Sequence, residues 1–238
     1  MHISIFKTKF EQISKFVNYY DYNHTLGKGV LYITLLSLVI GIFSPAPTDY
    51  LSSIRAGYSL YGFDNLYDYT FPMISVFIVF FAFLKDYINN RYELIIYFNA
   101  SRFNYNMLFR WGYFVFICSL SNFITATFYY RFVSFLDLLS IVLSLRFVPN
   151  ILFLTSLLLF LITLTKNCYA ALFVVGSYLL LDFLSSARMF KWFSLGVHSS
   201  NYYYTISPAY YLLNRALLVI LSVLFVFIAC KISAKENL

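Results

Sequence analysis

Apolar residues fall into six long runs along this chain, and a stretch of different rhythm precedes them. Over residues 3–20 the apolar side chains are Ile3, Phe6, Phe10, Ile13, Val17 and Tyr20. Their steps of three and four predict an amphipathic helix. Lys7, Lys9, Glu11 and Lys15 fill the polar positions, a pattern suited to lying in a membrane interface rather than crossing it. This lead-in is too long and too polar for a signal peptide, and no small-residue cleavage site follows the first run.

The six runs predict spans at about 29–46, 70–86, 107–130, 148–165, 168–184 and 208–230. A spanning helix needs about 17–25 residues. The first, second and fifth are short, and Lys28, Lys85 and Lys166 beside them extend their reach by snorkelling. Residues 131–147 carry Arg131, Asp137 and Arg146 and are expected in the interface or a loop, without settling whether part joins a span. Lys166-Asn167 leaves only a tight hairpin between spans four and five, whereas 47–69 and 185–207 are long connections. The fold class expected is all-α. It is a single transmembrane domain over 1–238, with an interfacial helix in 1–28 and a further helix between spans two and three.

Composition agrees with a lipid environment. The 238 residues are 61% hydrophobic and 11% charged, where a soluble domain is about a quarter charged. Placing the N-terminus inside puts Lys7, Lys9, Lys15, Lys28, Lys85, Arg91, Arg102, Arg110, Lys166, Lys231 and Lys235 on the inner face. The outer face then keeps Arg55, Arg131, Arg146, Arg188 and Lys191. By the positive-inside rule both termini are cytoplasmic, in a multi-pass protein of the cell membrane. That asymmetry accounts for the net charge of +7 without a nucleic-acid partner. The 28 Phe and 23 Tyr fit interfacial belts and an A/T-rich coding sequence, and also an aromatic-lined path for a greasy substrate.

Catalytic patterns are not found. The sequence holds no GxxxxGK[ST], HExxH, GxSxG or CxxC, and Cys118, Cys168 and Cys230 sit in or beside separate apolar runs. No metal site and no catalytic residue is expected. Charged groups near or within spans are functional candidates by default. These are Asp182 near the end of the fifth span and Arg215 inside the sixth, at similar depth and able to pair. Asn122 in the third span and Trp192 in the long connection complete a candidate substrate path.

The stretch Lys85 to Arg110 is the most informative. Leu94, Tyr97 and Phe98 share one helical face, Arg91 and Glu93 precede them, and Ala100-Ser101-Arg102 follows, with a turn expected at 101–104. This arrangement resembles the membrane subunit of type-2 ABC exporters, where a basic-then-acidic start, an apolar stretch and a small-Ser-Arg turn follow the second span. That family often has Pro where this chain has Ala100. The resemblance implies a coupling helix at 88–101 seated on a separate ATPase, with Arg91, Glu93, Leu94, Tyr97, Phe98 and Arg102 at the contact. It also implies two ATPase copies carrying ATP and Mg, a second permease chain identical or related, membrane lipid around the pair, and no cofactor in this chain. The cargo it fits is an amphipathic peptide such as a bacteriocin, toxin or antimicrobial peptide. A lipid-linked polysaccharide or a drug stays open, as do an ATP-independent immunity protein and a membrane enzyme.

Overall fold

A computed structural model describes residues 65–87, 91–196 and 208–235, with 29, 31–32, 34–36, 38–39, 42–43, 45–48 and 50 before them; for 91–104 it describes the backbone alone. The expected interfacial helix in 1–28, residues 88–90 of the coupling segment, most of the 47–69 connection and the run Tyr202-Tyr203-Tyr204 lie outside the described residues.

The described part is all-helical, with no strand among the described residues. Helix α1 is Phe71–Tyr87, led by a wider π turn at Leu66–Thr70. Helix α2 is Arg91–Tyr129, α3 is Leu138–Leu145, α4 is Val148–Thr165, α5 is Cys168–Leu184 and α6 is Pro208–Lys235. Four stretches are long and apolar enough to cross a membrane: Leu66–Leu84, Tyr105–Tyr129, Leu138–Thr165 and Ala209–Ser233. This is the pattern of a membrane protein. The 17 residues of α5 make a shorter apolar helix. In the first expected span, the described residues from 29 to 43 are helical up to Pro45-Ala46-Pro47.

Local chemistry explains the breaks. Pro149 cannot donate to the carbonyl of Leu145, so α3 stops there and α4 restarts with Pro149 in its first turn. Residues 138–147 are therefore a short helix capped by a bend, in a region expected to be interface or loop. Between α4 and α5 the chain reverses at Lys166, which takes a left-handed φ of 55°. Asn167 then caps α5, its Oδ1 accepting from the N–H groups of Tyr169 at 2.9 Å and Ala170 at 3.2 Å. The turn expected at 101–104 does not form: α2 passes through it as helix for 39 residues. Ala100 is the strongest helix former, and without a proline nothing in Ser101-Arg102-Phe103-Asn104 removes a backbone donor.

Helices α1 and α4 form the centre. The stretch Leu66–Leu84 is 67% buried, against 22% for Ala209–Ser233, so α6 lays one face on α4 and turns the rest outward. Val76, Val79, Ile151, Leu154, Leu158, Ile162, Val175 and Leu218 fill the interior. The helices alternate in direction. One end of the bundle therefore gathers Tyr87, Arg110, Lys166 and Cys168, and the other gathers Asp68, Asn150, Asp182 and Arg215.

At the Lys166 end Arg110 pairs with Asp86, donates to the carbonyl of Ala82 and lies 4.8 Å over the ring of Phe83. Both charged groups are largely withdrawn from solvent, so this contact fixes α2 to α1 where the expected inner surface lies.

The unbroken α2 sets a measurable distance. Spin labels at residues 92 and 113, 21 positions apart on one helix, should lie about 32 Å apart at 1.5 Å per residue, with a narrow distribution. A short or broad distribution from pulsed dipolar spectroscopy would mean that the expected turn at 101–104 exists.

Candidate functional site

Asp68, Asn150, Asp182, Asn214 and Arg215 collect at one end of the bundle, around a stretch of chain that is not regular helix. After α5 the backbone turns through Ser186 and Ala187, both left-handed, and a short 3-10 turn at Lys191–Phe193 brings residues 192–196 back among the helix ends. Within a lipid-embedded bundle such a stretch must have each carbonyl and N–H satisfied by protein. Side chains from three helices do this. Asn214 of α6 donates to the carbonyls of Trp192 at 2.8 Å and Ser194 at 3.2 Å. The Tyr178 hydroxyl of α5 donates to the carbonyl of Phe193. The carbonyl of Leu195 accepts from Asn150 Nδ2 of α4 at 3.2 Å and from Arg215 Nη2 of α6 at 2.9 Å.

Asp182 meets the same segment from the other side. Its Oδ2 accepts from the Leu195 N–H at 2.8 Å, the Ser194 hydroxyl at 3.0 Å and the Tyr69 hydroxyl at 3.3 Å. Asn150 extends the knot, donating to the backbone carbonyl of Asp68 at 3.2 Å and to its Oδ1 at 3.1 Å, and accepting from Arg215 Nη1. Asp68, Asn150, Asp182 and Asn214 are fully buried, and Arg215 is 8% exposed with its guanidinium 5.1 Å over the ring of Tyr211. Gly196 closes the fit: a Cβ there would stand 1.9 Å from the Tyr69 hydroxyl.

The expected Asp182–Arg215 pair is thus present in another form. Both charges lie in one network, yet among the described residues the ion pair found is Asp86–Arg110. Asp182 and Arg215 are joined through the two polar groups of Leu195 instead. Trp192 is half-exposed and stacks on Tyr210 with ring centroids 4.7 Å apart. Its carbonyl, not its indole, ties it to the knot. Asn122 is elsewhere, fully buried about two turns before the C-terminal end of α2, and its side-chain amide has no hydrogen-bond partner among the described residues. Of the six expected coupling residues Arg91, Glu93, Leu94, Tyr97, Phe98 and Arg102, the structure describes a helical backbone.

A second cluster at the same end was not expected from the sequence. Arg146, just after α3, donates to the hydroxyls of Tyr50 and Tyr130, which lie 3.2 Å from each other. Its guanidinium stands 4.7 Å over Phe147 and 5.1 Å over Tyr130. Beside it Tyr67 packs on Phe71, Tyr129 and Phe147, and the Ala46 N–H donates to the Tyr129 carbonyl at 2.8 Å. An arginine sandwiched among aromatic rings is held by cation–π attraction as well as hydrogen bonds. The sequence signal was weak: one arginine in a doubtful stretch and tyrosines spread over three segments.

Comparison with protein families, with curated proteins and with solved structures finds no match to this chain.

The knot has a steep dependence on Asn150. Asn150→Leu leaves the Leu195 and Asp68 acceptors short of a donor and Arg215 short of an acceptor. It should cost about 2–4 kcal/mol of stability. Asp182→Asn keeps a carbonyl oxygen for the same three donors and should cost about 1 kcal/mol. Thermal unfolding of the detergent-solubilised protein checks the order; equal midpoints for the two variants would contradict it.

Proposed function

We propose that this chain is the permease subunit of an ATP-driven exporter of the type-2 ABC class. It would have six spans, with 29–46 as the first and Cys168–Leu184 as the fifth, and both termini in the cytoplasm. Two such chains, identical or related, form the path, and two separate ATPase subunits holding ATP and Mg drive it. The cargo that best fits an aromatic-rich permease of this size is an amphipathic peptide, expelled from the cell.

The observation that carries the reading is the length of α2. Its charge-free apolar part is 111–129, but the helix begins at Arg91 and carries Arg91, Glu93, Arg102 and Arg110 before that part. A span needs about 20 residues, so about half of the 39-residue helix continues past the lipid-crossing part. It does so at the end that also holds Lys166 and Arg110, the end expected to face the cytoplasm by charge. An ordered helical projection there, with Arg91 and Glu93 at its start and Leu94, Tyr97 and Phe98 on one side, suits a groove on a soluble partner. Apolar anchors would supply affinity and the charged pair register. Because the projection and the third span are one helix, partner movement would reach the membrane without a hinge. The tucked segment at 192–196 is a second support, since the resembling exporters also structure the connection between their last two spans.

Co-purification with the ATP-binding protein encoded nearest this gene is the direct test. A complex of two permease and two ATPase chains with vanadate-sensitive hydrolysis is expected. Leu94→Asp, Tyr97→Asp and Phe98→Asp together should lower recovery of the complex at least tenfold. Glu93→Lys should leave expression intact and uncouple hydrolysis from transport. Full biological activity without any ATPase partner would overturn the proposal in favour of a protein that neutralises its target by binding alone.

A further inference from the structure

Asp182 and Arg215 bind one residue at its opposite polar groups. Leu195 gives its N–H to the carboxylate at 2.8 Å and its carbonyl to the guanidinium at 2.9 Å. The segment that places Leu195 there is held in a costly shape. Ser186, Ala187 and Lys191 all take positive φ, at 51°, 65° and 27°, without being glycine. The seat itself has no slack, since Gly196 touches the Tyr69 hydroxyl where any Cβ would stand. Strained backbone outside and tight hydrogen bonding inside oppose each other, so the docked shape is favoured only while the knot is complete.

We infer that residues 191–196 form a latch with two states that share one charge balance. In the docked state Leu195 stands between Asp182 and Arg215, and each charge is met by one end of its peptide groups. In the released state the segment withdraws, its left-handed residues relax, and Asp182 of α5 closes directly on Arg215 of α6. Neither state leaves a charge bare in the bundle, which is what permits exchange between them. Tyr69, Ser194 and the Gly196 N–H face the carboxylate, Asn150 and the Tyr211 ring face the guanidinium, and the Tyr178 hydroxyl lies near both. The latch concerns the helix ends around α5 and α6 and holds whether or not an ATPase drives the protein.

Polarity gives the test. Exchanging the charges, Asp182→Arg with Arg215→Asp, preserves a direct pair but not the docked state. The Leu195 N–H would then face a guanidinium and its carbonyl a carboxylate. In full-length protein with Cys118, Cys168 and Cys230 replaced by alanine, Leu195→Cys reports docking, because the Leu195 side chain is fully buried and only its backbone groups, which cysteine keeps, enter the knot. Maleimide labelling in mild detergent should be slow in this background and at least tenfold faster in the exchanged variant, with the protein still monodisperse. Gly196→Ala, which evicts the segment by contact with Tyr69 while keeping both charges, should also accelerate labelling at least tenfold. Slow labelling in a folded exchanged variant overturns the latch. If the exchanged variant does not assemble, Gly196→Ala decides. Fast labelling of a monodisperse protein supports the latch, and slow labelling or failure to assemble shows the segment to be a fixed part of the fold.

Discussion

The arrangement at the Asp182 end follows from one constraint: a backbone that is not helical must still have its carbonyls paired where water is scarce. Four successive carbonyls, from Trp192 to Leu195, have this need, and each receives a side-chain donor from a neighbouring helix. An unmet carbonyl in such surroundings costs several kcal/mol, so the polar residues of α4, α5 and α6 near this end are not free to be replaced by apolar ones of similar size. Asn150, Tyr178, Asn214 and Arg215 are where they are because the segment is there. Gly196 follows from the same demand, since drawing the backbone this close to Tyr69 leaves no room for a side chain.

The two ends of the bundle solve the burial of charge differently, and their connections explain why. At the Lys166 end α4 and α5 are joined by a two-residue reversal and α1 and α2 by a short link. Helices there meet side chain to side chain, and Asp86 and Arg110 touch. At the Asp182 end, residues 192–196 of the longer connection after α5 sit between the ends of α5 and α6. A charge on α5 and a charge on α6 consequently meet the connection first. A direct ion pair must recover the desolvation of two charges by itself. A peptide placed between them adds two hydrogen bonds to charged groups, the stronger kind.

Much of the fold was legible from apolar runs, because lipid imposes a length and a composition that a sequence displays directly. The runs expected at 148–165 and 168–184 coincide with α4 and α5. What was not legible depends on tertiary proximity or on an absent breaker. The second span begins earlier than expected, at Leu66, since Asp68 reads as a loop residue until Asn150 is seen to receive it. The helix through 101–104 was misread because a serine and an arginine after small residues look like a turn, whereas only a proline or glycine would have forced one. Asp182 and Arg215 were picked out by charge alone, correctly as neighbours in one network but wrongly as direct partners. Asn150, Tyr69 and Asn214 carry no such flag, because one polar residue in an apolar run has no spacing to distinguish it. The Tyr50–Tyr130–Arg146 cluster joins three segments that no local pattern connects.

Helix α2 relates these features to one another. It carries Arg110 near one end of the bundle and Tyr129 at the other, and it contains no proline between Arg91 and Tyr129. Its grips are strong at those two places: the Asp86 pair and Phe83 at one, the Tyr67 ring and the Ala46 N–H at the other. Between the grips only 33% of its apolar window is buried. Its interior face there carries Phe114, Val115 and Cys118 in the apolar core and, nearer Tyr129, Ser121, Asn122 and Thr125, and the Ser121 hydroxyl bonds Thr34 of the first helical segment. Small residues let neighbouring helix backbones approach closely and bond across the interface, whereas large ones fill the core by interdigitation. One unbroken helix thus joins the Asp86 pair at one end of the bundle to the aromatic cluster at the other.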